Sequence, residues 1–266
     1  MPGLAAARCG QTRSEVGGES GMVKLWGRFA GRTAGKWSFW RFNWIANAQV
    51  IAAAERARPH VHGVLLDIGC GSMRARAWYR DRITGYLGID LARSPYLGGA
   101  RLTAIARGEA LPFRGGSVDT VLGISMLTYL AEPHRLLEEA HRVLREGGVL
   151  VMEFTQMAPL HDEPNDYFRF TRYGARWLCE RAGFEVVECI PIGGLWSRVA
   201  LSLMAGLQRW NHGPTRVLTE VPIRALYVVI QLACRSLDGL ARDRREVLGH
   251  LVVARRVPMA RTVAPR

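Results

Sequence analysis

Residues 65–72 read Leu-Leu-Asp-Ile-Gly-Cys-Gly-Ser, and this octet decides the fold. Begun one residue earlier, Val64-Leu65-Leu66-Asp67-Ile68 is a near-continuous apolar run, as expected for a strand buried on both faces of a parallel sheet. Similar runs recur at 85–89, 118–124, 149–154, 184–190 and 251–254. Between the third and fourth, the spacing predicts a helix over 133–145. Its Leu136, Leu137, Ala140, Val143 and Leu144 share one face, and Gly147 stands where it would end. A second helix is expected over 173–181, stopped by Gly183. Strand and helix in alternation mean a doubly wound α/β sheet.

Such sheets bind ligands at the carboxyl ends of their strands, where the topology switches. The first strand runs out into Gly69-Cys70-Gly71, where missing side chains let backbone amides approach a ligand. A dinucleotide fingerprint needs a glycine where Arg74 stands, and no Gly-Lys-Ser/Thr of a P-loop is present, so nicotinamide and ATP readings fail here. What remains is Asp67 before the glycines and a second acid, Asp90, closing Gly88-Ile89-Asp90. A carboxylate in that place suits the two hydroxyls of a ribose.

Five runs in order then carry a resemblance: LLDIGCGS (65–72), YLGIDLA (86–92), GEALPFRGGSVDTVLGISMLTYLAEP (108–133), HRVLREGGVLVMEF (141–154) and ERAGFEVVE (180–188). Residues from about 63 to 190, with the strand near 251–255, resemble a class I S-adenosylmethionine-dependent methyltransferase, of the broad group that includes the quinone-biosynthesis enzymes. The resemblance implies a Rossmann-like, doubly wound, mostly parallel seven-stranded sheet, with S-adenosyl-L-methionine as cofactor. It implies that Asp67, Gly69, Cys70 and Gly71 hold the methionine part, Asp90 the ribose, and Leu91 one face of the adenine. Gly108, Glu109 and Ala110 fall along the adenine edge, and Ser125 and Met126 near the amino-acid end. Two positions depart from the family. Met73 stands where a third glycine is common, and Arg107 where an adenine-contacting acid is usual, which leaves Glu109 or the backbone for that contact.

Methyl transfer is an in-line displacement, in which the protein aligns donor and acceptor, excludes water and removes a proton where needed. After the fifth strand come Pro159-Leu160-His161-Asp162-Glu163-Pro164-Asn165-Asp166-Tyr167-Phe168-Arg169-Phe170-Thr171, similar to a run found in a subset of bacterial methyltransferases. His161 is the general-base candidate, because histidine exchanges protons near neutrality. Asp166 is expected to orient His161 or Arg169, or to cap the next helix. Tyr167 and Arg169 are candidates for a polar or anionic acceptor, with an Arg–Asp brace of the loop as the alternative. Tyr129 and Thr128 replace the Glu-His pair common in the wider family. A metal site from His161, Asp162 and Asp166, similar to that of catechol-type methyltransferases, is a further alternative that nothing else in the sequence supports.

The chain has 266 residues, 48% hydrophobic and 22% charged, which excludes a wholly disordered or fibrous protein. A formal net charge of +13 is divided unevenly: +6 over 1–60, −1 over 61–190 and +8 over 191–266. The expected cofactor-binding core is neutral, and no nucleic-acid-binding module accompanies the basic flanks, so nucleic acid is disfavoured as a partner. Five scattered cysteines form neither a metal pattern nor a disulfide framework, which favours a reducing cytoplasm, and no apolar run is long enough to span a membrane.

Residues 1–22 read as a tail, with Met22 a possible translation start, and 257–266 as another. Residues 23–60 read as an aromatic, basic lid containing Trp26, Trp37, Trp40 and Trp44. The methyltransferase domain is expected over 61–256, with a helical insertion at about 191–247 before the last strand. The function expected is O-methylation of a small or lipid-linked acceptor in the cytoplasm, with peripheral contact to an anionic inner membrane face as a further expectation. Carbon methylation of a quinone-like ring, or a non-catalytic binding module, are the alternatives.

Overall fold

The computed structural model describes residues 40–211, 216–241 and 244–258. The expected tails, apart from 257–258, and the first part of the expected lid, with Trp26 and Trp37, lie outside the described residues.

Seven strands form one sheet in the order β3-β2-β1-β4-β5-β7-β6. They are β1 (Gly63–Ile68), β2 (Ile83–Asp90), β3 (Ala104–Ile105), β4 (Val118–Gly123), β5 (Leu144–Thr155), β6 (Phe184–Ile192) and β7 (Gly249–Arg256). The first five run parallel, whereas β7 runs antiparallel to both β5 and β6. β1 pairs with β2 on one side and β4 on the other, so the strand order reverses at β1. The carboxyl ends of β1, β2, β4, β5 and β6 therefore share one edge, with a crevice at the reversal.

One face of the sheet is covered by α3 (Pro133–Val143) and α4 (Arg172–Arg181). Leu136, Leu137, Ala140 and Val143 of α3 are fully buried against Leu66, Val121 and Leu150. Each of the larger side chains contributes roughly 1.5–3 kcal/mol by leaving water. The opposite face carries α1 (Trp44–Ala57) and the short α2 (Arg74–Trp78). Ala53, Ala54 and Ala57 of α1 pack among Leu65, Ile190 and Leu251, so this part of the expected lid is seated on the sheet.

Two expectations about helix ends meet different outcomes. α4 ends as the sequence suggested: Gly183 has φ +86°, and its N–H donates to the Glu180 carbonyl (3.1 Å). α3 stops at Val143, short of Gly147, because Leu144 is drawn into β5 opposite Val118. Sheet pairing there overrides a helical pattern that sequence alone would continue. The start of α4 is capped by Thr171, whose hydroxyl accepts the Gly174 N–H (3.1 Å), and not by Asp166.

Between β6 and β7 the chain forms two helices, α5 (Leu195–Trp210) and α6 (Arg216–Leu240). Buried Asp238 of α6 reaches the first turn of α5, accepting from the Trp196 N–H (2.9 Å), the Ser197 N–H (2.9 Å) and the Ser197 hydroxyl (2.5 Å). Amides that a helix start leaves without partners are satisfied across the pair. Gln231 of α6 accepts the Ile45 N–H (2.9 Å) and donates to the Arg41 carbonyl (3.2 Å), tying the hairpin to the start of α1. Among the described residues, no helix is long and apolar enough to cross a membrane.

Candidate active site

The turn after β1 is held against the end of β2. The N–H groups of Gly69 and Cys70 both donate to the Ile89 carbonyl (2.9 and 3.0 Å), and the Gly71 N–H donates to Asp90 Oδ2 (2.8 Å). Gly69 and Gly71 have φ of +68° and +49°. Backbone strain calls for glycine at both positions, and space does so at Gly69 as well, where a Cβ would lie 3.0 Å from Met126 Cβ. Met73, where the family often has glycine, sits at φ +58°, the left-handed region that explains that preference.

Asp67 is buried beneath this turn, where the Tyr86 hydroxyl donates to it (2.5 Å). Burial pushes its carboxyl up from 3.8 to about 7, against the Tyr86 hydrogen bond and with help from the Asp90 charge. Burial also pushes the Cys70 thiol up to about 12, so it stays protonated and inert. Asp90 Oδ1 accepts the Leu91 N–H (2.7 Å), and Leu91 itself is half exposed at the strand end.

Two further walls border the crevice. In the 108–110 turn, Glu109 Oε1 meets Arg107 (3.3 Å), while its other oxygen is buried with no hydrogen-bond partner. Beyond β4, Ser125 holds φ +52°, and both its N–H and its hydroxyl donate to Glu153 Oε2 (2.8 Å each). Glu153 is buried in β5, and burial raises its pKa. It fixes the 125–126 corner, and with it the Met126 side chain against Gly69. Sequence reading missed Glu153; its one signal was an acid inside the apolar run 149–154.

On the acceptor side the structure brings His161, Asp166 and Arg169 together. Arg169 makes a bidentate pair with buried Asp166 (2.5 and 2.7 Å), and donates also to the carbonyls of Ala158, Pro159 and Phe168. The Arg169 guanidinium holds the Asp166 carboxyl below its ordinary range. The guanidinium thus braces the loop from inside. Asp166 also accepts the His161 N–H (3.2 Å). Tyr167 stands half exposed, its hydroxyl donating to Asn165 (3.3 Å).

His161 Nδ1 lies 2.7 Å from the Pro159 carbonyl, which only accepts, so Nδ1 carries a proton. In the neutral ring Nε2 is then an acceptor, and the Tyr129 hydroxyl donates to it at 2.6 Å. Burial, with Asp162 beside it, raises the Tyr129 pKa. Tyr96, which sequence reading did not single out, donates to Asp162 (2.6 Å) and overlies Gly71. Its hydroxyl is pushed up to about 12, chiefly by that hydrogen bond. The pair Tyr129–His161 therefore adjoins the glycine turn. Among the described residues, no group of three or more His, Cys, Asp or Glu side chains is disposed to hold a metal ion.

A family model described as a methyltransferase domain matches residues 66–152, from the second half of β1 through the glycine turn to most of β5. An uncharacterised methyltransferase of Mycobacterium tuberculosis is 30% identical over 198 residues, covering 67% of this chain and 78% of the relative. The chain belongs to the class I S-adenosylmethionine-dependent methyltransferases. A methyltransferase of Mycolicibacterium gilvum is 34% identical over 177 residues, covering 59% of this chain and 69% of the relative. Solved structures share the fold at lower identity. The Burkholderia thailandensis 1,6-didemethyltoxoflavin-N1-methyltransferase, with its substrate and S-adenosylhomocysteine bound, is 14% identical, with a TM-score of 0.52 over 89% of this chain and 87% of that one. A methyltransferase of Archaeoglobus fulgidus is 15% identical, with a TM-score of 0.52 over 79% of this chain and 94% of that one.

S-adenosylmethionine is the cofactor of this methyltransferase. The crevice fits it: two positive-φ glycines admit a ligand where side chains would not, Asp90 closes β2, and Glu109 offers a buried oxygen without a partner.

Proposed function

We propose that this methyltransferase methylates an oxygen of a small or lipid-linked acceptor, and that the acceptor's proton leaves through Tyr129 to His161. The observation that carries this reading is the 2.6 Å contact between the Tyr129 hydroxyl and His161 Nε2, in a ring whose tautomer the Pro159 carbonyl sets. When bound, the cofactor supplies an electrophilic methyl group on its sulfonium. The chain supplies the rest. Asp90 holds the ribose, the Gly69–Gly71 turn and Asp67 the methionine part, and Glu109 the adenine edge, while Ser125 and Met126 close the amino-acid end. As the acceptor O–H loses its proton to the Tyr129 oxygen, Tyr129 passes its own to His161 Nε2. The imidazolium so formed has its Nδ1 3.6 Å from Asp166, whose charge favours it. Alcohol or phenol acceptors need this proton path, because the oxygen becomes a good nucleophile only as it loses hydrogen.

Titration calorimetry with S-adenosylmethionine, followed by incubation with methyl-tritiated cofactor and a panel of phenols, quinols and lipid extracts, tests the reading. Label recovered as an ether or ester is the expected result. Label on carbon or nitrogen would overturn the O-methyl assignment.

Cofactor affinity should also depend on pH. In the free protein Asp67 takes up its proton at about pH 7. Raised above its ordinary value, it makes folding less favourable as pH climbs from about 4 to 7. A bound cation favours the ionised form, so affinity should rise by about tenfold from pH 6 to pH 8 and then level off. Calorimetry across that range, with Asp67→Asn as the flat control, checks it.

A further inference from the structure

The outer face of α6 is apolar along its whole described length. Val221, Leu226, Val229, Leu232, Leu237 and Leu240 recur at helical spacing and are 38–81% exposed. Ala225 and Ala233 fill the stripe between them, and Ser236 is its one polar interruption. From 221 to 240 the stripe runs about 30 Å along the helix. α5 exposes apolar side chains too, Leu203 and Trp196, each more than a third exposed. A contiguous apolar surface of this length marks a contact with something other than water.

Charge decides what that contact is. The described part of the hairpin has two acids, and neither faces outward freely: Asp238 is buried in the cap of α5, and Glu220 is ion-paired with Arg224 (2.5 Å). The exposed charges on the described parts of the two helices are arginines, Arg209 at the end of α5 and Arg235 at the border of the stripe, where it lies over the Trp44 ring (5.7 Å). Arg41, three residues before α1, is exposed as well, and its backbone carbonyl accepts from Gln231 of α6 (3.2 Å). An apolar helix face rimmed by arginine and tryptophan matches the boundary of an anionic bilayer, where acyl chains take the apolar face and headgroup phosphates the guanidinium groups.

Position adds the second argument. The hairpin leaves the sheet after Ile192 and returns at Gly249, and these residues pair with one another and with Thr155. Its base is therefore at the edge where the strands present the glycine turn and the Tyr129–His161 pair. We infer that the α5–α6 hairpin docks this methyltransferase on an anionic membrane surface, with the acceptor site turned toward molecules carried in the lipid. The docking surface shares no residue with the cofactor crevice, so its test stands apart from the methyl-transfer reading.

Flotation of the full chain with phosphatidylcholine vesicles, alone and mixed with phosphatidylglycerol, measures it. Binding is expected only with the anionic mixture, weakening as salt is raised. Val229→Glu with Leu232→Glu should lower the bound fraction about tenfold or more, since each places a charge on the buried face. Arg209→Glu with Arg235→Glu should act in the same direction without touching the apolar stripe. Thermal melting and cofactor titration of each variant establish that it is folded. No flotation, equal flotation with neutral vesicles, or unchanged flotation of both folded variants would overturn the proposal. So would a concentration-dependent dimer that Val229→Glu with Leu232→Glu dissolves, because the stripe's occupant would then be a second copy.

Discussion

Replacing His161 with alanine is expected to lower kcat by about a hundredfold or more, the usual worth of a positioned proton acceptor, while leaving cofactor affinity unchanged. Tyr129→Phe should cost nearly as much, because it removes the hydroxyl in contact with His161 Nε2. The double variant should be little slower than either single one, since two members of one relay are lost as a unit. The measurement is turnover on whichever acceptor the labelling experiment finds. If Tyr129→Phe kept full turnover while His161→Ala did not, the imidazole would meet the acceptor directly. Full turnover in both would remove the pair from the chemistry.

Asp90→Ala should weaken S-adenosylmethionine binding by about a hundredfold or more. Two charge-assisted hydrogen bonds to ribose hydroxyls, each worth about 1.5–3 kcal/mol, would be lost. The substitution also strips the Gly71 N–H of its acceptor, so the turn loosens as the ligand contact goes. Asp90→Asn separates the two effects, because its amide oxygen still accepts from Gly71 but carries no charge. Calorimetric Kd values for the two variants, beside their melting temperatures without cofactor, make the comparison. Unchanged affinity in the alanine variant would take the ribose role from Asp90.

Much of the fold was legible because its signals are local. Runs such as Val64–Ile68 are apolar on both faces since both faces are covered, and Gly183 ends a helix in the one conformation glycine alone adopts cheaply. Where the outcome is set by distant partners, sequence reading fails. Leu144 looks like the last apolar residue of a helix, yet Val118 claims it for the sheet. The two-residue strand β3 has no pattern long enough to notice. The candidate site divides in the same way. The glycine turn and Asp90 announce themselves as motifs. Tyr96 does not, because it reaches Asp162 across 66 residues of chain, and nothing in its own neighbourhood marks it. Glu153 was visible only as an acid in the wrong place, a hint that becomes informative once Ser125 is seen to need both its hydrogen bonds.

The antiparallel strand β7 has a consequence for how such a protein can change over generations. Because Ile192 and Gly249 are paired neighbours, the two ends of the helical excursion between them are a single point on the frame. Closing a longer or shorter excursion there costs only a slowly growing entropy, and no strand shifts register to accommodate it. The hairpin is in effect a graft on a fixed rootstock. Its outer face is free to be rewritten for a new surface while the crevice beneath keeps the same geometry.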